Sequence, residues 1–147
     1  MIRYLPIIVR FLVGAIFFVF GLNGFFNFIP MPATPPQKVV PFMTGLMAAG
    51  YFFPLLKLTE TVCGLLLLSN RFVPLALIVL APIVVNIAAV HFVLDPSGAP
   101  MAAFLVVALA YLGWEYRSYF RGVLTAKTEP SHSSAYKGSN RVPAAAT

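Results

Sequence analysis

Lys57 and Glu60 stand three residues apart in the stretch Lys57-Leu-Thr-Glu-Thr-Val-Cys-Gly-Leu-Leu-Leu-Leu-Ser69, inside a segment otherwise apolar enough to cross a membrane. At i, i+3 the base and the acid share one helix face and can pair. Ionisable groups in such a setting mark a functional site by default. A structural ion pair that fixes helix packing is the plainer reading of the same two residues, and both stay open. Gly64 continues the face one turn beyond Glu60, where a neighbouring helix can approach closely. Three further polar groups lie in apolar runs: Asn23, Asn86 and His91. The asparagines read most simply as hydrogen-bonding glue between helices, and His91 as an interfacial histidine one turn before Asp95. Asn86 and His91 are about 140° apart on an ideal helix, so they do not face one small ligand unless the nearby Pro82 distorts the helix. Cys63 is the sole cysteine, which excludes a two-cysteine redox mechanism, and it reads as a small apolar residue beside Gly64. One intramembrane histidine and one cysteine fall short of zinc or haem ligand sets. Neither a phosphate-binding loop, a Ser-His-Asp set nor paired catalytic carboxylates occur in the sequence, so no metal site is expected and catalytic residues stay unassigned. The chain is not expected to be an enzyme on its own.

The elements that must position these groups follow from composition and punctuation. The 147 residues are 60% hydrophobic and only 10% charged, with mean hydropathy +0.89. Soluble domains carry about 25% charged residues, so this is an all-α integral membrane protein of one domain. The net charge of +6 comes from Lys and Arg placed mainly at the ends of apolar runs, a topology signal and not a nucleic-acid stripe. The basic start resembles a signal peptide, but the run after it is too long and lacks a small-x-small cleavage site, so it reads as a retained first span. Four spans are expected, at about 5–28, 53–69, 72–94 and 99–116, each near the length needed to cross about 30 Å of hydrocarbon. Between the first two, Pro41 suits the first turn of a short interfacial or re-entrant helix running to Ala49, with Gly50 ending it and Pro54 opening the next. The rival is one long tilted helix from Phe42 to Leu68, kinked at Pro54. Pro82 is expected to kink the third span. Asp95-Pro-Ser-Gly98 reads as a turn, and Tyr111, Trp114 and Tyr116 as an interfacial aromatic belt. Residues 1–117 form the transmembrane domain; 118–147, which contain His132, have too little apolar surface to order and read as a disordered cytoplasmic tail.

With four spans, Arg3, Arg10, Arg71, Arg117, Arg121, Lys127, Lys137 and Arg141 fall on one side and Lys38 on the other, so both termini are expected in the cytoplasm. On helix midpoints near Phe17, Thr61 and Ile83, Glu60 lies near mid-membrane. Asn86 lies about 4 to 5 Å outward, Lys57 about 6 Å, Asn23 about 9 Å and His91 about 12 Å. All five polar groups occupy the outer half, which predicts a polar cavity opening to the extracytoplasmic side.

Arg10-Phe-Leu-Val-Gly14, Phe17-Phe18 and Gly21-Leu-Asn-Gly24 resemble the first-helix pattern of the DoxX family of small four-helix membrane proteins. Glu60-Thr-Val-Cys-Gly64-Leu-Leu-Leu-Leu68 followed by Arg71 resembles its second. The resemblance covers about residues 5 to 116. It implies a four-helix fold in a bacterial-type inner membrane. Some members are linked to thiosulfate:quinone oxidoreduction or to complexes handling oxidative stress, so it also implies a quinone as cofactor and other membrane redox subunits as partners. The leading expectation is an accessory or quinone-associated subunit of a membrane redox system. The alternatives are a small transporter or lipophile-binding protein using Glu60 as a proton or cation site, and a purely structural membrane partner. Membrane lipid is a partner on any of these readings, a homo-oligomer is compatible with all, and nucleic acid with none.

Overall fold

The computed structural model describes residues 4–30 and 36–121, and among these every regular element is helical. Five α-helices run in chain order: α1 Leu5–Phe26, α2 Val39–Ala48, α3 Phe52–Leu68, α4 Val73–Ala89 and α5 Ala99–Glu115. α1 packs along α3, α3 on α4, α4 on α5, and α5 returns to α1, closing a ring of four helices with α2 outside it on α3.

Sequence chemistry sets the helix ends. Pro6 lies in the first turn of α1, where a missing N–H costs nothing. Asn27 ends that helix in the left-handed region at φ 48°, its N–H donating to the Asn23 carbonyl at 2.9 Å. α2 stops at Ala48, and Gly50 at φ +71° turns the chain so that α3 leaves at 95° to α2. The break between two helices is therefore real, and the single kinked helix is excluded. Asn70 (φ 56°) and Phe72 (φ 51°) make the tight turn between α3 and α4.

Pro82 does not interrupt α4, which keeps α-helical geometry to Ala89. A π-helical turn follows it over Val90–Leu94. It leads into Asp95 and a 3-10 turn over Pro96–Gly98, as expected of the Asp-Pro-Ser-Gly motif. Past α5, Arg117–Phe120 form another 3-10 turn, with Tyr116 and Phe120 packed on the core. Order thus extends slightly past the boundary expected at 117/118, and the remainder of the predicted tail, His132 included, lies outside the described residues.

Three stretches, Leu5–Phe26, Val73–Leu94 and Pro96–Glu115, are long and apolar enough to cross a membrane, and α2 with α3 qualify only as a bent pair. Their outer faces carry large apolar side chains in the open: Ile7, Ile8 and Phe11 of α1 are all more than half exposed. A contiguous surface of this kind suits hydrocarbon and not water. Inside, the largest fully buried side chains are Val13, Leu67, Leu80 and Leu112, one from each helix of the ring. They lie in the half nearer the α3–α4 turn and belong to one apolar core.

Candidate functional site

The site begins where α1 and α3 touch. They run antiparallel, and glycines let their backbones meet. A Cβ on Gly64 would stand 2.8 Å from the Phe18 Cα and from the Gly14 carbonyl oxygen. One on Gly21 would lie 2.7 Å from the Thr61 backbone nitrogen, and one on Gly24 would strike the Lys57 side chain. The spacing of Gly14 and Gly21 thus does what it suggested, and Gly24 extends the seam to the edge of the polar region.

This seam fixes Lys57 and Glu60. Lys57 Nζ donates to Glu60 Oε2 at 2.7 Å, with the Glu60 side chain 5% exposed and that of Lys57 19%. The ammonium also sits 5.7 Å from the centre of the Phe53 ring, an added attraction for the cation. Thr61 donates its hydroxyl to the Lys57 carbonyl at 2.8 Å, so its own polar group is satisfied within α3. The acid and base therefore form one neutral unit.

The unit opens onto a cavity of about 210 Å³, walled by Phe17, Phe20, Ile87, Met101 and Leu105 and reached by Lys57, Glu60 and His91. A second cavity of about 500 Å³ adjoins it and shares Phe20, Lys57 and His91; Asn23, Met43, Met47 and Phe53 line it farther out. α2 closes that outer space with its methionines. Toward the lipid, a groove between α1 and α5 continues from the inner cavity, with Ile16 and Met101 lining both.

His91 is held from one side. Its Nδ1 lies 3.2 Å from the Asp95 carbonyl oxygen and 3.6 Å from Asp95 Oδ2. Its ring packs so closely on Gly98 that a Cβ there would collide with it. Nδ1 faces Asp95, leaving Nε2 as the ring nitrogen available to a ligand. The Asp95 carboxylate also accepts from the Ser97 N–H at 3.2 Å, which braces the turn.

Four of the five polar residues singled out from the sequence thus meet around the two cavities, and Asn86 does not. Asn86 is exposed on the outer face of α4 and lines neither cavity. The π-helical turn starts after it and does not bring it round, so the wide angular separation from His91 persists. Asn23 reaches the outer cavity, yet its Oδ1 accepts from the Ile29 N–H at 2.7 Å, fastening the exit of its own helix and not bridging two helices. The apolar walls carried no chemical signal in the sequence. Neither did Arg10, counted there as a topology charge: it is only 8% exposed, and its Nε has no hydrogen-bond partner among the described residues. Among the same residues no group of three or more His, Cys, Asp or Glu side chains gathers to hold a metal.

With its described residues forming only helices, apolar on their outer faces and enclosing a small polar pocket, the chain is an integral membrane protein. A family model described as DoxX matches residues 5–94, which contain Lys57, Glu60, His91 and Asn23, and the chain belongs to the DoxX family. No curated protein and no solved structure matches it.

Proposed function

We propose that this chain is a four-span protein of the cytoplasmic (inner) membrane that binds a small neutral lipophile, a quinone, as an accessory subunit of a membrane redox system. The observation that carries the reading is the closed Lys57–Glu60 pair, with zero net charge, at the wall of an apolar cavity that His91 also lines. A pocket already neutral in itself favours a neutral polar head over a bare ion, because an ion would meet apolar walls without a counter-charge. A quinone carbonyl accepts hydrogen bonds, and the Lys57 hydrogens not used by Glu60 stand ready to donate; His91, whose Nδ1–H faces the Asp95 oxygens, offers Nε2 as an acceptor for the hydroxyl of the reduced quinol. The apolar tail leaves along the groove between α1 and α5, which Leu12, Ile16, Pro100, Met101 and Phe104 line. Electrons come from and go to a partner subunit.

The transport reading is weaker. Beneath the pocket lie Val13, Leu67, Leu80 and Leu112, and among the described residues no buried polar side chain stands between Glu60 and Arg10 to carry an ion through. Four spans are supported by the α1–α3 seam. α3 touches a spanning helix from Gly14 to Gly24, about 15 Å along its axis, and therefore lies within the membrane beside it. Its 17 residues reach about 25 Å, and α2 caps the remainder at the interface. Residues 1–117 are then the membrane domain, with the rest a cytoplasmic tail.

Binding of a short-chain benzoquinone to the protein in nanodiscs, followed by difference absorption, tests the reading. His91→Leu and the double change Lys57→Leu with Glu60→Leu are each expected to weaken binding tenfold or more while leaving the fold intact. Undiminished binding in both variants would sink it.

A further inference from the structure

The pocket leaves one polar residue of the membrane region unexplained. Asn86 sits in Val73–Leu94, the most apolar of the candidate spans with mean hydropathy 2.6, about 4 Å from the middle of that stretch. Its side chain is exposed on the outside of the ring and makes no hydrogen bond among the described residues. A carboxamide carries two N–H donors and an accepting oxygen. Hydrocarbon offers no water to satisfy them, so a partner must come from protein.

The surface around Asn86 is shaped for a helix. Ile78, Pro82, Val85, Ala89 and Val93 share its exposed face, while α4 turns Val73, Ala76, Leu77, Leu80 and Val84 into the core. Pro82 and Ala89 lie one turn before and about one turn after Asn86, and neither extends a long side chain. They leave a shallow strip flanked by Ile78, Val85 and Val93, into which another helix can settle at close range. This strip is distinct from the pocket side of α4, which Ile87 and His91 present.

We infer that α4 is the seam of a two-fold dimer, in which Asn86 of one copy and Asn86 of a second copy exchange reciprocal amide hydrogen bonds. The occupant is identified by complementarity. It must present a donor and an acceptor at the depth of Asn86, on a lipid-exposed apolar helix, and a second copy inserted in the same orientation meets every condition by symmetry. A two-fold axis along the membrane normal sets the same residue opposite itself at the same depth, an isologous contact. The two α4 helices then cross in parallel near Asn86. The donors and acceptor of one carboxamide match those of its twin without a third group. The inference does not depend on what the pocket binds, because pocket and seam occupy different sides of α4.

The test uses the full chain in lipid nanodiscs and in native membranes. Native mass spectrometry is expected to find two copies per particle for the wild type. Asn86→Leu should lower the dimer fraction at least tenfold at equal protein-to-lipid ratio, with helicity and quinone binding unchanged. In a Cys63→Ala background with Asn86 kept, Ala89→Cys, about one turn along the same exposed strip, should cross-link to a covalent dimer on mild copper-catalysed oxidation. Val107→Cys, on the lipid-facing side of α5 and 68% exposed, should not. A monomeric wild type, a dimer untouched by Asn86→Leu, equal cross-linking at Val107, or pairing of Asn86 only with a different protein would each overturn the proposal.

Discussion

Lys57 and Glu60 act as one neutral group, and their energetics follow from that. Removing one partner leaves the other charged in a low-dielectric wall, whereas removing both leaves an apolar surface. Lys57→Leu and Glu60→Leu are each expected to destabilise the protein by about 3 to 5 kcal/mol, and the double change to come close to neutral. Denaturant unfolding in a fixed mild-detergent background measures this cycle; strictly additive losses would show that the 2.7 Å contact carries no coupling. A second readout separates structure from function: Glu60→Gln keeps the side-chain shape, and loss of quinone binding with retained helicity would place the carboxylate in the site. The pair was legible in the sequence because a three-residue interval fixes a shared helix face whatever the tertiary fold. The bond from the Ile29 N–H to Asn23 Oδ1 was not, since it spans a chain reversal that no helical period describes. The burial of Arg10 was not legible either. A charge near the end of a span looks like a topology marker, and only the packing of the other helices shows it to be 8% exposed.

At the level of elements, the distance between α1 and α3 decides whether the site exists. Gly64→Ala places a methyl group 2.8 Å from the Phe18 Cα and the Gly14 oxygen, backbone atoms that cannot swing away. Overpacking of this kind costs about 1 to 3 kcal/mol, and forcing the helices apart should also weaken ligand binding. Gly113→Ala in α5 is the control: a Cβ there meets nothing within 4 Å, so the better helix former should be neutral or stabilise by up to about 1 kcal/mol. Thermal melts of both variants in one detergent test the contrast, and equal losses would mean that the seam is not close-packed. Helix positions were well marked in the sequence because Pro41, Gly50 and Pro54 punctuate the chain where backbone chemistry demands it. The π-helical turn at Val90–Leu94, just before the Asp95 turn that holds His91, carried no such mark in the sequence.

For the whole molecule, the open question that charge can answer is orientation. On the proposed four-span reading, Arg3, Arg10, Arg71, Arg117, Arg121, Lys127, Lys137 and Arg141 are expected at one face and Lys38 at the other. Burial of Arg10 leaves this imbalance nearly unchanged, because it still belongs to the end of α1 beside the α3–α4 turn. Truncation after Gly122 should shift stability by less than about 0.5 kcal/mol, since the residues removed are mostly polar or small; the same melts check it. The sharper test is topological. A cytoplasmically active reporter fused at the C-terminus should function, and a reporter active only outside should function when inserted near Pro35. The pair also counts spans. If α3 entered and left the membrane on the same side as a re-entrant element, only α1, α4 and α5 would cross, and the two reporter sites would fall on the same side. Opposite sides for Pro35 and the C-terminus require an even number of crossings over the whole chain, which makes α3 a span. The polar pocket then opens away from the cytoplasm, because Asn23, Lys57 and His91 all lie toward the end of the ring opposite the α3–α4 turn.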